Sequence, residues 1–181
     1  MSDLKNLIFY GNDINQIISI KKYIDDENIK TKLFNVRTKQ KFIKEQRDCE
    51  IVWISKDKKN IISSFLKNLV KNINQDNWKF KLSDWQTNMQ YTKYCNFGHH
   101  YDWHTDVLDN SDPNLKRLIT IIYCLTPKNN YKGCKLEIKY DNEIFSKKLD
   151  EGDYVVFPSN LIHRATQLIS GEREVLVGWY G

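Results

Sequence analysis

Gly152-Asp153-Tyr154-Val155-Val156-Phe157-Pro158-Ser159-Asn160-Leu161-Ile162-His163, continuing through Ser170-Gly171-Glu172-Arg173 into Glu174–Tyr180, is the stretch on which the fold turns. It alternates short β-branched and aromatic runs with Gly, Pro, Ser and Asn. That texture belongs to successive strands, because branched side chains fit a pleated surface and these punctuators fit turns. Strand parity puts Arg173, Val175, Val177 and Trp179 on one face of the last strand. It also puts His163, Ala165, Gln167 and Ile169 on one face of the strand before it, taken as Leu161 to Ile169.

Further strands precede this stretch. Leu118 to Leu125 is a β-branched run long enough for a buried strand, and Lys135–Tyr140 and Glu143–Lys148 flank the hairpin signal Asp141-Asn142. Before Trp85 the texture differs. Leu7 to Tyr10 reads as a short strand, and Gly11-Asn12-Asp13 as the start of a helix with Ile14, Ile17, Ile18 and Ile24 on one face. A strand around Trp53 follows at about Cys49 to Ser55, then a helix from about Asp57 to Asn74 with apolar residues at i, i+3, i+4 spacing. The expectation is an α+β, mainly β chain: a double-stranded β-helix, or jelly roll, supported by N-terminal helices. A single domain is expected over 1–181, with helix-rich support over about 1–84 and the jelly-roll core over about 85–181.

Composition narrows the function classes. Forty per cent apolar residues exclude a disordered chain, and no apolar run is long enough to span a membrane. The four cysteines form no CxxC pair, so a zinc ribbon and a thioredoxin motif are excluded, and free thiols are expected. The N-terminus lacks a secretory pattern, which points to a cytoplasmic protein. A net charge of +5 raises a nucleic-acid partner, but the lysines are scattered. The densest basic segment, Arg37 to Arg47, reads as a partner-facing loop or as solvated surface.

Three of the four histidines lie in Gly98-His99-His100-Tyr101-Asp102-Trp103-His104-Thr105-Asp106. One residue separates His104 from Asp106, so in extended chain they leave the same face, and His163 is the remaining distant histidine. Two imidazoles and a carboxylate make the facial triad of non-haem Fe(II) sites, which leaves positions open for other ligands. The competing reading of His163 is an ordinary strand histidine. Ten residues later Arg173 brings a fixed cation to the same wall. Burying it is costly without an anion, and a dicarboxylate chelating the metal, namely 2-oxoglutarate, would supply one. A cupin-like metal-binding module needs no such arginine. A zinc hydrolase using His100 and His104 would want Glu where Tyr101 stands.

HxD, a distal His about 57 residues on, and Gly-x-Arg ten residues later resemble the prolyl 4-hydroxylase-like, PKHD-type group of 2-oxoglutarate/Fe(II) oxygenases, over roughly Trp85 to Gly181. The resemblance implies a dioxygenase that decarboxylates 2-oxoglutarate to succinate and CO2 while hydroxylating a C–H bond. It implies Fe(II), 2-oxoglutarate and O2 as cofactors, ascorbate as an accessory reductant, and a protein or peptide substrate carrying the prolyl target. A free amino acid or other small molecule is the alternative substrate.

On the same basis Tyr94 touches the co-substrate, Tyr123 bonds its distal carboxylate and Trp179 lines the pocket. Lys132-Gly133-Cys134 departs from the family's glycine pair, which bears on substrate contacts. The strand after Arg173 lacks the second arginine typical of nucleic-acid demethylases, and Asp106 argues against a halogenase. Tyr101 and Trp103 are candidate substrate contacts, with plain packing the competing reading of Trp103. His99 and His100 are expected as loop residues facing solvent, or else as part of a lid. The polar loop Val107 to Lys116 is read as a lid or a simple connection.

Overall fold

The computed structural model describes residues 7–38, 46–57, 60–108 and 116–181. Its strands, in chain order, are β1 (Phe9–Asn12), β2 (Phe34–Thr38), β3 (Arg47–Ile54), β4 (Met89–Tyr94), β5 (His100–His104), β6 (Ile119–Cys124) and β7 (Tyr131–Gly133). They continue as β8 (Leu136–Tyr140), β9 (Glu143–Lys147), β10 (Asp153–Pro158), β11 (Ile162–Ala165), β12 (Leu168–Gly171) and β13 (Arg173–Tyr180). Two helices are present among the described residues, α1 (Ile17–Asp26) and α2 (Ile61–Asp76). Every strand pairing is antiparallel.

The main sheet runs β1-β10-β6-β13-β4-β3-β5-β11-β8-β9, with β2 added on β3, while β7 and β12 form a separate ribbon. It curls into the expected helix-backed jelly roll. Its central strands are buried on both faces, which explains why β6 is apolar at every position but Thr120 rather than alternating. Leu176, Tyr180, Ile121 and Tyr123 pack outward against α1 and α2. Their strand neighbours Val175, Ile122 and Cys124 turn inward with Leu136, Ile138, Phe157 and Ala165.

Three local expectations shift. The buried face of α1 is Ile17, Ile20 and Ile24, whereas Ile18 is 78% exposed and Ile14 lies in a preceding 3-10 turn with a different phase. Helix α2 begins after Asn60, whose side chain accepts from the backbone N–H of Ile62 at 2.9 Å and of Ser63 at 3.4 Å. This N-cap satisfies donors that a helix start leaves open. The stretch read as one strand from Leu161 to Ile169 breaks into β11 and β12, so Gln167 and Ile169 leave the face of His163.

The hairpin at Asp141 forms as expected, with φ of 52° there. Gly171 takes φ of 80° at the end of β12, and a Cβ there would meet Asn130 O at 1.9 Å. Only glycine fits that corner. No helix among the described residues is long and apolar enough to cross a membrane.

Candidate active site

Strands β5 and β11 lie side by side with His104 directly opposite His163. A bulge follows: one residue of β11, Arg164, faces two of β5, Asp102 and Trp103, so Tyr101 and His104 share the inward face although three apart. Asp106 lies just past β5, where its N–H donates to Ser159 O at 2.9 Å. The donor atoms of His104, Asp106 and His163 all lie within 4.8 Å of one another, as a shared metal requires.

Hydrogen bonds set the state of each group. His104 Nδ1 faces Asp102 O at 2.7 Å and His163 Nδ1 faces Leu161 O at 2.9 Å. A carbonyl can only accept, so each Nδ1 carries the proton and each Nε2 lone pair turns to the site. His104 Nε2 is 3.6 Å and His163 Nε2 3.3 Å from Asp106 oxygens. Thr120 Oγ1 donates to Asp106 Oδ2 at 2.9 Å, so Ser159 Oγ donates to Thr120 in turn.

Burial, with His163 beside it, pushes His104 down to about 4. Burial also pulls on His163, but Asp106 outweighs it and raises His163 above its ordinary value. Burial would raise Asp106, yet His163 and His104 hold it well below the carboxylate range. This is an ionised carboxylate between two imidazoles, a donor set suited to a divalent metal.

Arg173 opens β13 opposite Tyr94 of β4 and is 2% exposed. Its Nη1 donates to Cys134 Sγ at 3.7 Å, and among the described residues its Nε has no hydrogen-bond partner. The Tyr94 ring lies 5.6 Å from the guanidinium. Val175, Val177 and Trp179 follow along the same wall, so the parity expected for β13 is the parity observed. Arg173 and the triad line one cavity of about 140 Å³, together with Tyr94, Tyr101 and Trp179.

Other expected residues lie elsewhere. Tyr123 does not reach the cavity. Its hydroxyl donates to Asp13 O at 2.7 Å and its ring meets Phe65 edge-on, on the helix side of the sheet. Parity is the reason: Ile122 points inward, so Tyr123 must point outward. Trp103 is not in the cavity wall either; the bulge turns it away, under the Arg164 guanidinium at 4.4 Å.

His99 is buried rather than solvent-facing. Its Nδ1 accepts from Cys95 N at 3.2 Å, which ties the turn before β5. His100 begins β5, its ring bonded to Gly98 O at 2.8 Å. Residues 39–45 of the basic segment and 109–115 of the candidate lid lie outside the described residues.

The sequence reading missed four groups: Thr120, Arg47, Arg117 and Trp53, the last three of which line the cavity. Arg47 was visible only as the end of a basic run. Arg117 stands at a strand start where parity is undefined, and nothing in sequence ties Thr120 to Asp106.

The family model for the 2OG-Fe(II) oxygenase superfamily matches residues 89–181. The chain belongs to that superfamily. Within it, the chain is similar to a PKHD-type hydroxylase of Hyphomonas neptunium, 38% identical over 84 residues, 45% of this chain and 38% of that one. A PKHD-type hydroxylase of Prochlorococcus marinus is 42% identical over 55 residues, 30% of this chain and 25% of that one. The matched stretch thus spans well under half the length of these curated relatives.

Among solved structures, a Pseudomonas putida prolyl-4-hydroxylase superposes with a TM-score of 0.73 at 17% identity, covering 98% of this chain and 94% of that one. A Trichoplax adhaerens prolyl hydroxylase, in complex with a hypoxia inducible factor peptide fragment, gives 0.72 at 15% identity, covering 97% and 84%. Both share this chain's fold.

Proposed function

We propose that this oxygenase is an Fe(II)- and 2-oxoglutarate-dependent dioxygenase that hydroxylates a C–H bond of a peptidyl prolyl residue and releases succinate and CO2. The observation that carries the oxygenase reading is Arg173: a buried cation, its Nε without a partner among the described residues, on the cavity wall that holds His104, Asp106 and His163. A buried guanidinium calls for an anion, and a dicarboxylate spanning from metal to arginine is one. The metal, with co-substrate and O2, supplies the oxidising power when bound.

The protein's own groups bind, orient and exclude water. His104 and His163 present Nε2 lone pairs fixed by backbone carbonyls, and Asp106 is held ionised by Thr120 and both imidazoles. Arg173 takes the far carboxylate as a planar fork beside Tyr94. Tyr101 stacks on His104 with ring centroids 3.4 Å apart and fixes that ligand's plane. Ascorbate as accessory reductant and a cytoplasmic setting belong to the same reading.

The peptide part draws on the prolyl hydroxylases among similar structures and on the cavity's exit. Arg164 and Ala165 line both the cavity and a wider open groove that continues past Phe97 and Ile169. The small volume at the metal site favours a second reading, a free amino acid as substrate.

The test is Fe(II)-dependent 2-oxoglutarate turnover with proline-containing peptides and with free amino acids, reading the gain of one oxygen by mass spectrometry. Hydroxylated peptide is the expected product. Turnover of a free amino acid alone would overturn the peptide assignment, and absence of 2-oxoglutarate binding would overturn the oxygenase one.

A further inference from the structure

Three arginines besides Arg173 line the cavity, and they differ in what they bond. Arg164 is neutralised, because its Nε and Nη2 both bond Glu137 Oε2, at 2.8 and 2.7 Å. Arg47 and Arg117 have no carboxylate hydrogen-bond partner among the described residues. Arg47 donates to neutral groups, Gln90 Oε1 at 2.5 Å and Cys49 Sγ at 3.1 Å. Arg117 donates to Thr87 Oγ1 at 3.1 Å, and its Nε is buried with no partner among the described residues.

Both guanidinium groups are oriented by aromatic rings at the metal site. Arg47 lies 4.5 Å over the Tyr101 ring, which itself stacks on His104. Arg117 lies 3.8 Å over the ring of Trp179, near enough to Asp106 to feel its charge. The two cations thus face the cavity from the His104 side and from the Asp106 side. Stacking holds each planar fork open for an incoming group instead of letting it fold onto a protein acid.

The charge balance then decides. If the function proposed above holds, Asp106 and dianionic 2-oxoglutarate offset the divalent metal and Arg173. Arg47 and Arg117 remain without a counter-charge, half-buried in the cavity wall, a state that a ligand bringing negative charge would relieve. We propose that the primary substrate presents a carboxylate to Arg117 and Arg47, so that the enzyme selects an acidic substrate. The carboxylate has two sources of the same chemistry: the α-carboxylate of a free amino acid, or an acidic side chain or C-terminus next to the target residue of a peptide. Either arrives beside the metal held by planar forks, which orients the C–H bond to be attacked.

Equilibrium binding tests this without turnover. The full chain, loaded with Fe(II) and 2-oxoglutarate under nitrogen, is titrated while Trp179 and Trp53 report by fluorescence. One arm compares free amino acids and prolyl dipeptides with their primary amides. The other compares capped proline peptides carrying Asp or Glu with the same peptides carrying Asn or Gln. The expected result is an acid preferred over its neutral partner by on the order of tenfold or more, as charge-assisted bonds give. The arm in which this appears identifies the source.

Arg47→Gln and Arg117→Gln should each shrink that ratio and the double substitution should bring it near one. Arg117→Lys should restore part of it. No acid binding tighter than its neutral partner, or a ratio that survives the double substitution, overturns the proposal. Binding of 2-oxoglutarate itself, measured first, separates this from the reading it rests on. Its loss in the unaltered protein condemns the oxygenase reading, and the acid-to-amide ratio is still read without it.

Discussion

Arg173 and His163 sit ten residues apart in sequence, on β13 and β11, which do not pair in the sheet, and they answer to different tests. For Arg173 the lost interaction is with an anion, so Arg173→Ala should weaken 2-oxoglutarate binding by tenfold or more, on the order of a charge-assisted bidentate bond. Metal content should be retained. Arg173→Lys should recover little, because a point charge cannot reproduce the fork that fits between Tyr94 and Cys134. Calorimetric titration of the metal-loaded protein reads this, and equal affinity in Arg173→Ala would remove the co-substrate role.

For His163 the test is pH. Its pKa in the metal-free protein stands above the ordinary 6.5, because Asp106 outweighs burial, while His104 is pushed to about 4. On acidification His163 therefore takes up its proton first, while His104 stays neutral. Metal must displace the His163 proton, so metal affinity should be full above the raised pKa of His163 and fall as pH drops through it. Chelator competition across that range checks the direction. An affinity that rises on acidification contradicts the assignment.

At the scale of elements, parity and corners matter more than residue type. Strand β6 shows only apolar side chains and threonine ahead of Tyr123, so nothing in its composition says which face a given side chain takes. Pairing with β13 and β10 settles it and sends Tyr123 to the helices. Tyr123→Phe should therefore leave 2-oxoglutarate affinity unchanged and cost about 1 kcal/mol of stability, the usual worth of its bond to Asp13 O. Urea unfolding and a co-substrate titration read the two outcomes, and a co-substrate defect with intact stability would return Tyr123 to the site.

Gly171 is the corner that launches β13. With φ of 80° and Asn130 O 1.9 Å from an added Cβ, Gly171→Ala must shift the backbone two residues before Arg173. A lower melting temperature with weaker 2-oxoglutarate binding is expected. Wild-type values for both would show that the corner yields freely.

For the molecule as a whole, the N-terminal half does more than support the core. Strand β3 joins β4 to β5, β1 pairs with β10, and Arg47 and Trp53 of β3 line the cavity. Residues 1–84 and 85–181 are accordingly proposed to form one folding unit. A fragment over 85–181 would expose Tyr123, Leu176, Tyr180 and Met89, which α1 and α2 now cover. It should fail to fold cooperatively and should bind neither metal nor 2-oxoglutarate. Circular dichroism with thermal melting tests this, and a sharp transition in the fragment would show that the core stands alone.

The sequence by itself determined what is local or periodic: the strand texture after Trp85, the face shared by Arg173, Val175, Val177 and Trp179, and the HxD pair of His104 and Asp106. Side-chain period along a strand is fixed by the backbone, so a reader of sequence can count it. Tertiary structure alone decided the rest. The β5 bulge set Tyr101 over His104 and turned Trp103 out. Strand pairing gave Tyr123 its outward face. Arg47 and Arg117, 70 positions apart in the chain, met across the cavity. Bulges, registers and long-range pairings depend on which strands become neighbours, and that choice is made by burial of the whole apolar surface rather than by any one segment.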